Sequence, residues 1–166
     1  MRNKGFTIVE LLIVIVVIVI LAAITLVTYN SLQNGAYDSA VQSDLDNAAA
    51  LLESFRSHDS TADQYPRTKT PDLDSLKIKA TKGSYDQTVT VNYVYCINTT
   101  TYQSYALVAL SKSGAVFMET QDGFATTTIT KSDFSSSTNI CNTKLSMGLV
   151  SAGMYAPATW QTWVNS

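Results

Sequence analysis

The chain has 166 residues, with 11 lysines and arginines against 13 aspartates and glutamates, and its formal net charge is −2. This length suffices for one long helix and one modest domain, and the acidic balance weighs against nucleic acid, whose phosphates attract cations. With a single histidine, and with no glycine-rich phosphate loop or zinc-ligand spacing, the sequence gives catalysis no support. We therefore expect no enzymatic activity, no cofactor and no metal site.

The N-terminus combines charged and apolar residues in an unusual order. Arg2 and Lys4 precede Gly5, an apolar run begins at Phe6, and one acid, Glu10, lies inside that run. An ordinary export signal is instead cleaved after its apolar stretch, beside small residues. Burying a charge in hydrocarbon costs at least about 2.5–3.5 kcal/mol, so Glu10 requires a specific role.

The segment K-G-F-T-I-V-E-L-L resembles the class III signal of type IV prepilins and pseudopilins, and the resemblance is strong from Lys4 to Ala23. It implies that a prepilin peptidase cuts between Gly5 and Phe6 and methylates the new amine of Phe6. It also implies that many copies assemble with these helices in a filament core, where Glu10 reaches the terminal amine of a neighbouring subunit. The assembly residues would be Glu10 and its apolar successors Leu11, Leu12 and Ile13. Two alternatives remain: an uncleaved signal anchor, and pairing of Glu10 with its own chain's amine.

The apolar run is long enough to cross a membrane. A helix from Phe6 to Val27 would be about 33 Å long, against a hydrocarbon core of about 30 Å. Because Arg2 and Lys4 precede it, the positive-inside rule predicts a cytoplasmic N-terminus and an exported C-terminal domain. We expect a single-pass protein in contact with lipid of the cytoplasmic membrane before assembly, and an extracellular filament afterwards.

The helix is predicted to continue well beyond the membrane and to end near His58. Many type IV pilins carry a glycine and a proline where this chain has Val19 and Val27, so we expect a more continuous helix here. Downstream, apolar residues recur at the spacing of an amphipathic helix that would cover a sheet, with Leu32 and Ala36 as candidates for an upstream extension. The stripe consists of Val41, Leu45, Ala48, Leu52 and Phe55.

The remainder predicts a small antiparallel sheet, so the fold class is α+β: a spine helix packed on a sheet, which is also the type IV pilin architecture. The predicted strands are 88–97, 102–111 and 115–119, with 124–130 as a weaker candidate. In the first, Val89, Val91, Tyr93 and Tyr95 would share one face. The predicted divisions are a leader (1–5), a transmembrane or filament-core helix (6–28), an amphipathic helix half (29–57), an αβ loop (58–87), the sheet (88–131) and a C-terminal region (132–166).

Cys96 and Cys141 are the only cysteines. In an oxidising compartment a bridge would close a loop of about 45 residues and contribute roughly 4 kcal/mol in the chain-entropy model. Pilins often staple a C-terminal segment in this way, so the resemblance implies a disulfide. Two buried thiols are the alternative if the Cα atoms lie more than about 7 Å apart.

Other candidate sites are weaker. Asp72 and Asp74 have carboxylates of the kind that bind calcium but are better explained as turn and cap residues. Trp160 and Trp163 are expected to anchor the C-terminus by packing. Residues 98–100 form an N-glycosylation sequon at a turn. A basic loop is expected to be a solvated face or an intersubunit charge patch rather than a DNA site; its cations are Arg67, Lys69, Lys77, Lys79 and Lys82.

These patterns predict a structural subunit of a type IV pilus-like filament without chemistry of its own. Its partners would be copies of itself, a prepilin peptidase and an inner-membrane assembly machine driven by a cytoplasmic ATPase. The first alternative is a pseudopilin of a type II secretion or DNA-uptake apparatus. The second is a membrane-anchored binding module that is never cleaved and whose head recognises DNA or a surface ligand.

Overall fold

The computed structural model describes residues 7–58, 63–155 and 159–165. Gly5 and Phe6, the predicted processing residues, lie outside these ranges. The chain forms two compact units, residues 1–35 and 36–166. We call the second unit the head.

The first unit is the N-terminal part of helix α1, which runs from Ile8 to His58. The helix ends where the sequence predicted. The backbone is helical at Val19 and Val27, as expected for a span without glycine or proline. The Thr25 hydroxyl lies 2.7 Å from the carbonyl oxygen of Leu21, so this polar side chain is satisfied within the helix.

The second part of α1 carries the predicted apolar stripe. Four of its members are fully buried and Phe55 is half-buried; the four are Val41, Leu45, Ala48 and Leu52. Leu32 and Ala36, the candidates for an upstream extension, are exposed. Within the chain, the stripe therefore begins at Val41.

The head contains a five-stranded antiparallel sheet and two small strand pairs. Its strands are β1 (Ile78–Lys79), β2 (Tyr93–Ile97), β3 (Tyr105–Leu110), β4 (Val116–Thr120), β5 (Gly123–Ala125), β6 (Gly148–Ala152), β7 (Met154–Tyr155), β8 (Thr159–Trp160) and β9 (Val164–Asn165). The order in the main sheet is β5-β4-β3-β2-β6. β1 pairs in parallel with β9, and β7 pairs antiparallel with β8. The fold is α+β, as the sequence predicted.

Short helical turns complete the head. Two of them, Lys69–Leu73 and Asp74–Leu76, lie in the αβ loop and contain Asp72 and Asp74, which the sequence predicted to be turn and cap residues. The others are Lys82–Ser84, Lys131–Ser135 and Asn139–Lys144.

Both faces of the sheet are buried, because alternate residues of β2 and β3 enter two separate apolar clusters. On the α1 side lie Tyr93, Tyr95 and Leu107, together with the helix stripe. On the opposite side lie Val94 and Cys96, covered by Phe134, Ile140 and other residues that follow β5. The C-terminal region therefore closes the second face of the sheet.

The first predicted strand was wrong in its length and in the face of the sheet assigned to Val91. It begins at Tyr93 instead of residue 88, and Val91 enters the second cluster and not the face of Tyr93. The reason is an irregular segment before β2, in which the Val91 amide donates to the Phe134 carbonyl 3.1 Å away. This contact turns Val91 away from the helix and interrupts the period-two alternation.

Candidate functional site

The N-terminal turn of α1 is closed by Thr7 and Glu10. The Thr7 backbone amide and hydroxyl both donate to Glu10 Oε2, at 2.9 and 2.8 Å. In return, the Glu10 amide donates to the Thr7 hydroxyl at 3.2 Å. This reciprocal arrangement is a capping box, and its sequence signal is Thr7-x-x-Glu10. It satisfies amides at the helix start that have no helical partner.

Beyond Glu10 the helix surface is apolar and exposed. Leu11, Leu12 and Ile13, the predicted assembly residues, are 61%, 55% and 57% exposed. A comparable exposure continues to Ile24. Among the described residues, α1 is the one helix long and apolar enough to cross a membrane. A secretory signal has a similar length and composition, so the apolar run alone does not identify the segment.

The family comparison decides the nature of this segment. Residues 1–26 match the model of the prokaryotic N-terminal methylation motif. The chain carries the class III signal of type IV pilins. The match ends within α1 and does not extend into the head. No curated protein and no solved structure matches the chain.

In this chain with a pilin-type signal, a disulfide joins an interior strand of the main sheet to the C-terminal region. Cys96 on β2 is bonded to Cys141, with Cα atoms 5.4 Å apart, so the alternative of two free thiols does not apply. Both residues are fully buried in the second cluster. The bridge ties the segment that covers this face to the sheet, which is the pairing implied by the resemblance.

Asp44 is a buried carboxylate that the sequence pattern did not reveal. It accepts hydrogen bonds from the Thr81 amide at 2.6 Å and the Tyr85 hydroxyl at 3.1 Å. Burial raises the pKa of Asp44, and the bonds from Thr81 and Tyr85 oppose that rise. Asp44 lies off the apolar stripe, and its partners are 37 and 41 residues away in sequence, so helical periodicity gave no signal for it.

A second buried acid, Glu119, lies on β4 beneath the helix. It is 5% exposed, and within the described part of the chain its Oε2 has no hydrogen-bond partner. Burial, assisted by the charge of Asp46 on α1, raises the pKa of Glu119 to about 7. An unpaired buried carboxylate of this kind costs stability whenever it is ionised.

The two acids of the αβ loop organise its turns. Asp72 accepts hydrogen bonds from the Arg67 and Thr68 amides, both at 3.1 Å. Asp74 accepts from the hydroxyls of Thr70 and Thr162. In the regions that the structure describes, no group of three or more His, Cys, Asp or Glu side chains is placed to hold a metal ion.

The remaining candidates are distributed over the head. Trp163 is fully buried and stacks near Tyr93 with ring centroids 5.5 Å apart, while Trp160 is half-buried against Tyr85 at 5.4 Å. Both contacts are packing contacts. Asn98 accepts the Thr100 amide at 2.9 Å in the turn before β3.

Proposed function

We propose that this chain is a pilin: a structural subunit of a type IV pilus-like filament, cleaved after Gly5, N-methylated on Phe6 and polymerised through its N-terminal helix. The observation that carries the proposal is the methylation motif at residues 1–26, joined to a helix whose apolar surface is exposed from Ile8 to Ile24. An isolated chain in water cannot keep such a surface uncovered. Lipid covers it before assembly, and neighbouring helices cover it afterwards.

The capping box supports the assignment of Glu10 as the register contact. Its Oε2 accepts both bonds from Thr7, whereas Oε1 makes no hydrogen bond within the described residues. One oxygen thus holds the helix start and the other is available to a cationic amine. When the amine of Phe6 of an adjacent copy occupies that oxygen, the buried charge is compensated and the axial position of the copy is fixed.

Cleavage and assembly each require a partner. A prepilin peptidase recognises the leader, and an inner-membrane assembly machine with a cytoplasmic ATPase extracts the processed helix from lipid. Leu11, Leu12 and Ile13 then exchange lipid contacts for contacts with other copies. Because lipid tails are as apolar as these side chains, packing and the Glu10 contact, more than the hydrophobic effect, select the filament.

The decisive experiment measures the N-terminal residue and intact mass of the protein from its native cell. We expect a chain that begins with N-methylated Phe6. Retention of residues 1–5 in the presence of active peptidase would contradict the proposal and favour a static anchor. A cut after the apolar stretch, near Ala23, would indicate an ordinary secreted protein.

A further inference from the structure

The head has an acidic side. We call Asp46, Glu53, Glu119 and Asp122 the acidic flank. Burial is the main cause of the raised pKa of Tyr105, and the charges of Glu53, Glu119 and Asp122 raise it further. The charge of Asp46 likewise adds to the raised pKa of Glu119. Glu119 thus links Asp46 on α1 to the carboxylates around Tyr105, and one of these, Glu53, also pairs with Arg56 at 3.9 Å.

An exposed aromatic side chain accompanies the acidic flank. Phe124 on edge strand β5 is the cross-strand partner of Glu119 and is 49% exposed. Outside α1, it is the one large hydrophobic side chain that stands exposed in the described part of the chain. Asp122 precedes it in the tight turn between β4 and β5, next to Gly123, whose φ is 98°. We call residues 122–124 the hairpin tip.

A groove of complementary character lies beside α1. Its walls include the side chains of Ala50, Leu51 and Leu76, its rim carries Lys77 and Lys79, and its volume is about 510 Å³. Leu51 and Leu76 are partly buried against the helix-side cluster. Neither rim lysine forms an ion pair or hydrogen bond with another described residue. The groove is thus an apolar depression bordered by two uncompensated positive charges.

The acidic flank and the apolar wall of the groove lie on different faces of the helix. At about 100° per residue, Asp46 and Leu51 are separated by roughly 140° around the axis, with Ala50 between them. The hairpin tip and the groove are therefore distinct surfaces of one chain. Two complementary surfaces so arranged make a head-to-tail contact between copies, which repeats without closing when the rotation is helical.

We propose that the hairpin tip of one copy seats in the groove of the next. The Phe124 ring would contact Leu51 and Leu76, and the Asp122 carboxylate would face Lys77 and Lys79. This inference rests on the proposed function, since it requires a polymer, and it assigns the basic loop to contact between subunits. The contact removes a half-exposed aromatic ring from water, and opposite charges at its edge set its orientation and make it sensitive to salt.

Cysteine pairing tests the contact in filaments. In the double variant Asp122→Cys with Lys77→Cys, mild oxidation is expected to give a ladder of covalent multimers on non-reducing gels. Each single variant should give none. The matched control is Lys77→Cys with Ser132→Cys, since Ser132 is also exposed but belongs to the turn Lys131–Ser135 and not to the hairpin tip.

Electron microscopy before oxidation separates the two proposals. Filaments of the double variant without a ladder, or a ladder of equal length in the control, overturn the groove contact and leave the pilin assignment intact. Absence of filaments in the unmodified protein with its assembly machinery overturns the pilin assignment, and the groove contact with it.

Charge exchange provides a second test that does not depend on disulfide geometry. Lys77→Glu with Lys79→Glu is expected to lower filament yield severalfold, and Asp122→Lys to do the same. Combining the three changes is expected to restore most of the yield, because the two surfaces exchange the signs of their charges and still attract each other. Failure of the combination to recover, while each altered head unfolds as the unmodified one does, overturns the contact.

Discussion

The Tyr85 hydroxyl donates to the Asp44 carboxylate 3.1 Å away and joins the αβ loop to the spine helix in the interior of the head. The same carboxylate accepts the Thr81 amide. A buried acceptor with two donors of this kind is costly to remove, because the donors are left without partners.

Asp44→Ala is accordingly expected to destabilise the head by about 2–4 kcal/mol. Asp44→Asn keeps an acceptor oxygen and should cost less. Chemical unfolding of the full chain in detergent, followed by near-ultraviolet circular dichroism, measures both. Asp46→Ala is the matched control, since Asp46 is an exposed aspartate on the same helix; equal effects of the two alanine changes would contradict the role of Asp44.

Removing the disulfide should weaken the head. Replacing Cys96 and Cys141 together by alanine opens a loop of 45 residues and is expected to lower the free energy of unfolding by about 4 kcal/mol in the chain-entropy model. Thermal unfolding under non-reducing conditions checks this value. A variant as stable as the unmodified protein would show that the buried cluster around Phe134 and Ile140 holds the C-terminal region without the bond.

Glu10 allows the local and the intersubunit roles to be separated. Glu10→Ala is expected to be processed at Gly5 and to assemble poorly, because it loses both the cap and the charge. Glu10→Gln keeps the capping-box pattern but cannot pair with an amine as an anion. Normal filament yield from Glu10→Gln would contradict pairing of the Glu10 charge with an amine of another subunit. Poor assembly with normal processing supports that pairing.

The stability of the head should depend on pH through Glu119. Its pKa is raised from 4.5 to about 7 in the folded chain, so the folded state binds the proton more tightly than the unfolded state. The contribution of Glu119 is therefore most favourable below pH 4.5 and is lost as the pH rises to about 7. Above that pH both states are ionised and the loss is constant.

Glu119→Gln removes this titration. At pH 8 it is expected to stabilise the head by about 2 kcal/mol relative to the unmodified protein, with little difference at pH 4. Unfolding midpoints at the two pH values measure the change, and Asp122→Asn, which neutralises an exposed acid in the adjacent turn, serves as the control. A Glu119→Gln variant with an unaltered pH profile would contradict the burial of an unpaired carboxylate.

The sequence predicted correctly those elements that are determined by residues close to one another in the chain. The stripe from Val41 to Leu52 and the end of α1 at His58 were predicted correctly, because helical spacing and the polar residues that follow are local signals. The class III signal was read from the spacing of Gly5, Phe6 and Glu10. The disulfide was implied by the resemblance and not by the pattern of residues.

The predictions that failed depended on distant contacts. Val91 was assigned to the wrong face because its amide pairs with Phe134, 43 residues later in the sequence. Residues 148–152 were assigned only to the C-terminal region and form edge strand β6; their mixture of small and apolar residues lacks the strict alternation that predicts a strand. The burial of Asp44 and Glu119 was missed for a similar reason: an acid on an amphipathic element is normally solvated.

The bond between Cys96 and Cys141 also limits how far the subunit lengthens when it is pulled. The segment between the bonded positions, which are 45 residues apart in sequence, carries β3, β4 and β5. Force applied between the N-terminal helix and the C-terminus bypasses this segment through the two sulfur atoms. At about 3.4 Å per extended residue, the pulling force cannot extend roughly 150 Å of chain while the disulfide is intact. A subunit under tension thus retains its hairpin tip inside a closed covalent ring, and releases that length only after reduction.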